Sequence, residues 1–270
     1  MPEIHPSAVV ADGARLGDGV TVGPFCVIGP EVEIGAGSSL KSHVVVEGRT
    51  VIGANAQIFP FASIGHQPQD LKFKGEASRL VIGRDALIRE NVTVNPGTEG
   101  GGLLTEIGDR CALLAGSHVA HDCLIGNDVI LVNNVMVAGH VTIGDFVIMG
   151  GGSAAHQFVR IGAHAFVGGL TGLENDLIPY GLAMGDRASL AGLNIVGLRR
   201  RGFEREAIHA LRHAFRELFA EGAGTLKERV DSVAAAHGGS PLVDNVVAFL
   251  KAGGDRAVCT PRAAEAGGRG

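Results

Sequence analysis

Four histidines fall between Gly116 and Phe158, in three short clusters: His118-Val119-Ala120-His121-Asp122-Cys123, Ala138-Gly139-His140 and Ala155-His156-Gln157-Phe158. The chain holds 11 histidines in 270 residues, so the concentration is local. Imidazole titrates near neutral pH and can act as general base, general acid or metal ligand. The adjacent His121-Asp122 pair points to proton transfer, because a carboxylate fixes the imidazole tautomer and stabilises its charged form. Three or four histidines also suit Zn²⁺, and that alternative stays open at this level. Ser117 has none of the surroundings of a nucleophile elbow. Cys123 lies in the phase expected of a small interior residue. Histidines standing alone, such as His5, His43 and His164, read as corner residues with satisfied hydrogen bonds.

The elements that must position these groups are legible as a repeat. Aliphatic residues recur every six positions from Ile4, Val10 and Leu16 through Ile58 and Ile64, and Gly follows many of them. The phase resumes at Ile82, Ile88 and Val94, slips by one, and runs again from Ile107 to Leu173. Two segments interrupt it, near 66–80 and 97–105. A six-residue period excludes an amphipathic helix, whose stripe recurs near 3.6 residues. It fits short parallel strands joined by tight corners, with the aliphatic pointing inward and Gly, Asn or Asp in the corner conformations. Three such segments make an 18-residue coil, and coils stack about 4.8 Å apart. The expected fold is mainly β: a parallel β-helix over 1–190.

Residues 18 apart then share one place around the prism. Modulo 18, His118 falls at 10, His121 and Gly139 at 13, Asp122 and His140 at 14, His156 at 12 and Gln157 at 13. These residues form one column on one corner. Lys72, in the first interruption, falls near 1 and away from the column. That offset points to a site completed by a second subunit.

Composition agrees with a thin, repetitive core. There are 42 Gly, no Trp and 4% aromatics, yet 46% of residues are hydrophobic. A net charge of −5 argues against a general nucleic-acid binder. Four cysteines without CxxC spacing read as reduced thiols. Neither a signal segment nor an apolar run of membrane-spanning length is expected, which places the protein in the cytoplasm. Beyond Arg199 the pattern turns helical. Phe203, Ile208, Leu211, Phe215, Leu218 and Phe219 share one face of a helix over about 203–220. Helices over 225–237, with Thr225 as N-cap, and 240–252, with Ser240 before Pro241, follow. This helical domain, 191–252, is expected to shield the open end of the stack. Residues 253–270 read as a flexible tail.

The segments Gly23-Pro24-Phe25-Cys26, Leu40–Val46, Gln69–Lys72, His118–Cys123, Ala138–His140, His156–Phe158 and Gly197–Phe203 resemble the UDP-N-acetylglucosamine O-acyltransferases. These are hexapeptide-repeat acyltransferases with a left-handed parallel β-helix, an exception to the usual right-handed crossover. The resemblance covers about 3–250. It implies a homotrimer that moves an (R)-3-hydroxyacyl chain from acyl carrier protein to the sugar 3-hydroxyl, starting lipid A synthesis. It implies no cofactor and no metal.

By this match His121 would be the general base, Asp122 its orienting partner and the Gly139 N–H the oxyanion donor. His118, His140, His156 and Gln157 would contact the sugar, the acyl group or the thioester arm. Asp70, Leu71 and Lys72 would meet the sugar or diphosphate. Asn194, Arg200 and Arg201 would meet nucleotide or carrier, and Gly169 would gauge acyl length, leaving room for a chain longer than ten carbons. Asn95 and Val196 depart from the family's common His and Glu. The 3-amino analogue of the sugar, giving an amide, is therefore the related possibility.

Overall fold

The computed structural model describes residues 1–220 and 224–262. Its strands form three sheets of 11, 9 and 8 members that wrap a left-handed parallel β-helix. Most strands are two residues long and pair parallel with the strand one coil on, as Glu3–Ile4 does with Thr21–Val22. The six-residue aliphatics are the inward residues of these strands, and Ile28, Ile58, Leu113 and Val137 are at most 1% exposed. A second inward residue precedes each corner's exit. It is small by necessity, as at Val20, Cys26, Ala56, Cys123 and Val135. The first coil is uncovered below, so the inward Ile4 remains 45% exposed.

The corners depart from the expected chemistry in two ways. The residue in the left-handed region is often not Gly, Asn or Asp: His43, Phe61, His140, Phe158 and His164 all have φ between 58° and 66°. Side chains with a Cβ pay for this conformation with about 1–2 kcal/mol, and ring stacking between coils offsets it. Phe25, His43 and Phe61 stack at 5.0 and 5.1 Å. The Gly after each aliphatic serves close approach instead. A Cβ on Gly35 would lie 2.5 Å from the Ala54 nitrogen of the next coil. His164 is a corner residue as expected, but its buried Nδ1 has no hydrogen-bond partner; the ring stacks on Phe146 at 4.8 Å.

The coil ends in an antiparallel hairpin of Gly181–Met184 and Ser189–Leu193. Among the described residues four helices follow: α1 (Ile195–Arg200), α2 (Arg205–Leu218), α3 (Leu226–His237) and α4 (Pro241–Ala252). The helical part thus begins before Arg199, because Asn194 caps α1 through Oδ1, which accepts from the Gly197 N–H. Helix α2 is shorter than the apolar pattern suggested. Thr225 and Glu228 form a reciprocal capping box on α3, whereas Ser240 precedes α4 without a side-chain capping bond. The helices pack on the last coil: Asn245 donates to the Tyr180 hydroxyl at 2.7 Å, and Arg160 lies over the Phe249 ring.

Residues 253–262 do not hang free. The Cys259 N–H donates to the Asp176 carbonyl at 2.8 Å and the Leu190 N–H to the Thr260 carbonyl at 3.0 Å. The return lays Val258 beside Asp176 and buries Cys259. The rest of the expected tail, 263–270, lies outside the described residues. Among the described residues no helix is long and apolar enough to cross a membrane.

Candidate active site

Five consecutive strands of the nine-stranded sheet, Thr93–Val94, His118–Val119, Met136–Val137, Ala154–Ala155 and Gly172–Leu173, form a wall beside one corner of the prism. The outward residues of the last four and that corner line a cleft of about 1000 Å³. His121, Asp122, Gly139, His140, Gln157 and Phe158 occupy the turns of three successive coils, as the modular count required. His118 and His156 flank the corner. His118 points outward from its strand, with Nδ1 2.7 Å from the Thr93 hydroxyl.

His121 and Asp122 are both buried, at 7% and 6% exposed. His121 Nδ1 lies 2.8 Å from Asp122 Oδ2. A carboxylate only accepts, so Nδ1 carries the proton and Nε2 is left basic. That Nε2 makes no hydrogen bond among the described residues and faces the cleft. Gly139 stands directly opposite: a Cβ there would lie 2.5 Å from His121 Cε1 and 2.7 Å from Nε2. The Gly139 N–H joins no backbone hydrogen bond of the coil, although its neighbours Ala138 and His140 do. It is an unspent donor beside the His121 ring.

His140 closes the corner. Its ring meets His121 edge-on at 5.0 Å and stacks on Phe158 at 4.5 Å. Burial is the main cause lowering its pKa, opposed by Asp122 and aided by His121. His118 is lowered as well, by burial and by the neighbouring His121. Both side chains are thus disposed to stay neutral as contacts. The Cys123 thiol is pushed up to about 12 by burial, which removes it as a nucleophile.

His121, Asp122 and His140 are also the group among the described residues close enough to share a metal, with ligand atoms within 4.8 Å of one another. Most of the carboxylate's acceptor capacity is already taken, however. Asp122 Oδ1 accepts from the Thr98 N–H at 2.8 Å, and Oδ2 accepts from the Thr98 hydroxyl at 2.6 Å besides His121. That donor set is built to hold an imidazole rather than a cation.

The first interruption corrects the phase argument. Gln69, Asp70, Leu71 and Lys72 line the same cleft as His118, His121 and His140 of the same chain. The loop leaves the coil after Ile64–Gly65 and rejoins it at Arg79, so its residues have no coil phase and it folds back across the column. The Asp70 carboxylate accepts from the Lys72 N–H at 3.0 Å and shapes the turn, while Leu71 stands fully exposed. Asn95 pins the loop's start by donating to the His66 carbonyl at 3.0 Å.

Other expected site residues lie apart from this cleft in the chain. Gly169 sits on a different corner beside Leu170, and the nearest atom a Cβ would meet is 3.4 Å away. Asn194 is occupied at both ends, capping α1 and donating to the His164 carbonyl at 2.9 Å. Arg201 donates to the Phe146 carbonyl at 2.9 Å, and burial lowers its pKa. Arg200 is exposed on α1. Val196 is 60% exposed.

Two contacts escaped the sequence reading. Thr98 comes from the second interruption. Arg256, in the returning tail, donates to His156 Nδ1 at 2.7 Å and to the Gln157 carbonyl at 2.9 Å. A seven-residue excess in the spacing between the paired Thr93 and His118, 25 positions instead of 18, marks the first in the sequence. No local signal marks the second.

A parallel β-helix of six-residue repeats carrying a buried His–Asp pair in an apolar-walled cleft defines a hexapeptide-repeat acyltransferase. The comparisons make the class particular. The bacterial transferase hexapeptide model matches residues 13–48 and 104–139, and the model for domain 2 of UDP-N-acetylglucosamine O-acyltransferase matches 176–259. An acyl-[acyl-carrier-protein]--UDP-N-acetylglucosamine O-acyltransferase of Sinorhizobium fredii is 48% identical over 99% of this chain and 98% of its own. One from Bartonella henselae is 52% identical over 96% and 94%. The solved UDP-N-acetylglucosamine acyltransferase of Campylobacter jejuni superposes with a TM-score of 0.90 at 38% identity, covering 96% of this chain and all of the other. The chain belongs to the UDP-N-acetylglucosamine O-acyltransferase family.

Proposed function

We propose that this protein transfers an (R)-3-hydroxyacyl chain from acyl carrier protein to the 3-hydroxyl of UDP-N-acetylglucosamine, the first step of lipid A biosynthesis. The observation that carries the mechanism is the His121 ring, with Nδ1 locked onto buried Asp122 and Nε2 turned to the cleft opposite Gly139. His121 Nε2 takes the proton of the sugar hydroxyl as its oxygen attacks the thioester carbonyl. The oxyanion that forms accepts from the Gly139 N–H; such a donor typically contributes about 2.7–4 kcal/mol. Collapse breaks the carbon–sulfur bond, and the imidazolium returns its proton to the leaving thiolate. Asp122 holds the tautomer throughout. The relatives from Sinorhizobium fredii and Bartonella henselae are O-acyltransferases, which favours the hydroxyl acceptor over the amino analogue.

Lys72, exposed at the cleft rim, supplies a cation for the diphosphate. The apolar wall of Met136 and Ala154 suits the acyl chain. Gly169, Asn194 and Arg200 lie away from their own chain's cleft, which supports a homotrimer in which a neighbour supplies them. Four free, buried cysteines fit a cytoplasmic protein.

Purified protein incubated with acyl carrier protein thioesters of several chain lengths and UDP-N-acetylglucosamine tests the reading. Ester formation on the sugar is expected, with a loss of at least about 10²-fold in His121→Ala. Absence of hydroxyl transfer with every chain length, or stoichiometric Zn²⁺ that is lost with His140→Ala, would overturn it.

A further inference from the structure

The second break in the repeat, 97–105, has no place in the mechanism above, yet it surrounds Asp122. Strand Thr93–Val94 pairs with His118–Val119 across 25 positions rather than 18, so the coil carries seven extra residues here. Both ends of that insertion grip Asp122. The Thr105 hydroxyl accepts from the Asp122 N–H at 2.8 Å, holding a residue whose φ is 58°. Thr98 donates twice to its carboxylate, from its backbone N–H to Oδ1 at 2.8 Å and from its hydroxyl to Oδ2 at 2.6 Å. Between them the short turn Glu99–Gly101 lies flat on the carboxylate: a Cβ on Gly101 would fall 2.0 Å from Asp122 Cγ. The Asp122 side chain is left 1% exposed.

Resting on that function, we propose that Thr98 is a positioning residue for the general base, acting through Asp122. Oδ2 is the oxygen His121 binds. A carboxylate can swing about its terminal bond and present either oxygen in or out of the imidazole plane. The two Thr98 donors remove that freedom by assigning one bond to each oxygen. The insertion excludes the water that would otherwise compete for both. An imidazole held on one oxygen in one plane keeps Nε2 aimed at the cleft, and losing this alignment slows proton transfer without weakening substrate binding.

The test compares Thr98→Val and Thr98→Ser in the otherwise intact chain and in the His121→Ala chain. Thr98→Val removes the hydroxyl donor at nearly constant shape. It is expected to lower kcat about 10- to 100-fold, the range of a lost hydrogen bond to a charged group, while KM for the nucleotide sugar changes less than twofold. Thr98→Ser recovers kcat to within threefold of the parent. In the His121→Ala background Thr98→Val has no further effect. A kcat within twofold of the parent, or an equal loss without His121, overturns the proposal. Imidazole nitrogen NMR of His121 provides a readout independent of substrate. The Nδ1–H form should dominate in the parent and mix with the other tautomer in Thr98→Val; an unchanged spectrum refutes the positioning role even if the transfer reaction is another.

Discussion

Gly139→Ala is the sharpest single perturbation of the site. The N–H that would stabilise the oxyanion survives this change, and Gly139 is not among the glycines of positive φ, so the backbone accepts the new side chain. What changes is space. The added Cβ would stand 2.5 Å from His121 Cε1 and 2.7 Å from Nε2. Non-bonded carbons settle at about 3.5–4.0 Å, so ring and methyl must part by about 1 Å. The ring cannot simply retreat, since Nδ1 is tied to a carboxylate that Thr98 fixes from behind. A displacement of that size costs about 10²-fold in rate where catalysis depends on alignment. Steady-state transfer assays should show kcat falling by about that factor, with melting temperature and circular dichroism close to the parent. A kcat within threefold of the parent would refute the claim that the His121–Gly139 approach sets the reaction geometry. A collapse of the melting transition would instead show that the corner was needed for folding.

Lys72→Ala should raise KM for the nucleotide sugar about 10- to 100-fold, the range for a charge-assisted hydrogen bond, and leave kcat within a few fold; an unchanged KM removes Lys72 from the diphosphate. Stability should fall on acidification. His118, His140 and His164 all have pKa values lowered from 6.5, chiefly by burial. The unfolded chain therefore binds more protons below that value, and ΔG of unfolding rises with pH through the window and declines as pH drops below about 6.5. Urea titrations at pH 7.5 and 5.5 check the sign, and equal midpoints would contradict it.

The coil was legible because its contacts are short in sequence. Each inward aliphatic meets its neighbours one coil, 18 residues, away, so a six-residue count carries straight into space. The adjacency of His121 and Asp122, and their stacking with Gly139, His140 and Gln157, came from that count alone. So did the buried role of Cys123, while the capping of α3 by Thr225 came from the N-cap preference of its hydroxyl. The corner rule was only half right. Sequence favours Gly, Asn and Asp at positive φ, but a ring stacked on the next coil makes His140 and Phe158 acceptable there. No single-residue preference expresses such a stack.

What the tertiary structure decided lies where the chain leaves the coil. Residues 66–78 have no phase to count, so only their packing could show that Lys72 crosses to the histidine column of its own chain. Thr98 reaches Asp122 through a loop whose path the repeat does not encode. Arg256 arrives on His156 from 100 residues further along, after four helices. Within a repeat, sequence separation is distance, and the sequence by itself places every group that stays on the coil. Once the backbone departs, position depends on which surfaces pack. The places of His121 and Asp122 were therefore written in the sequence, and the residues that hold and frame them were settled only by the folded chain.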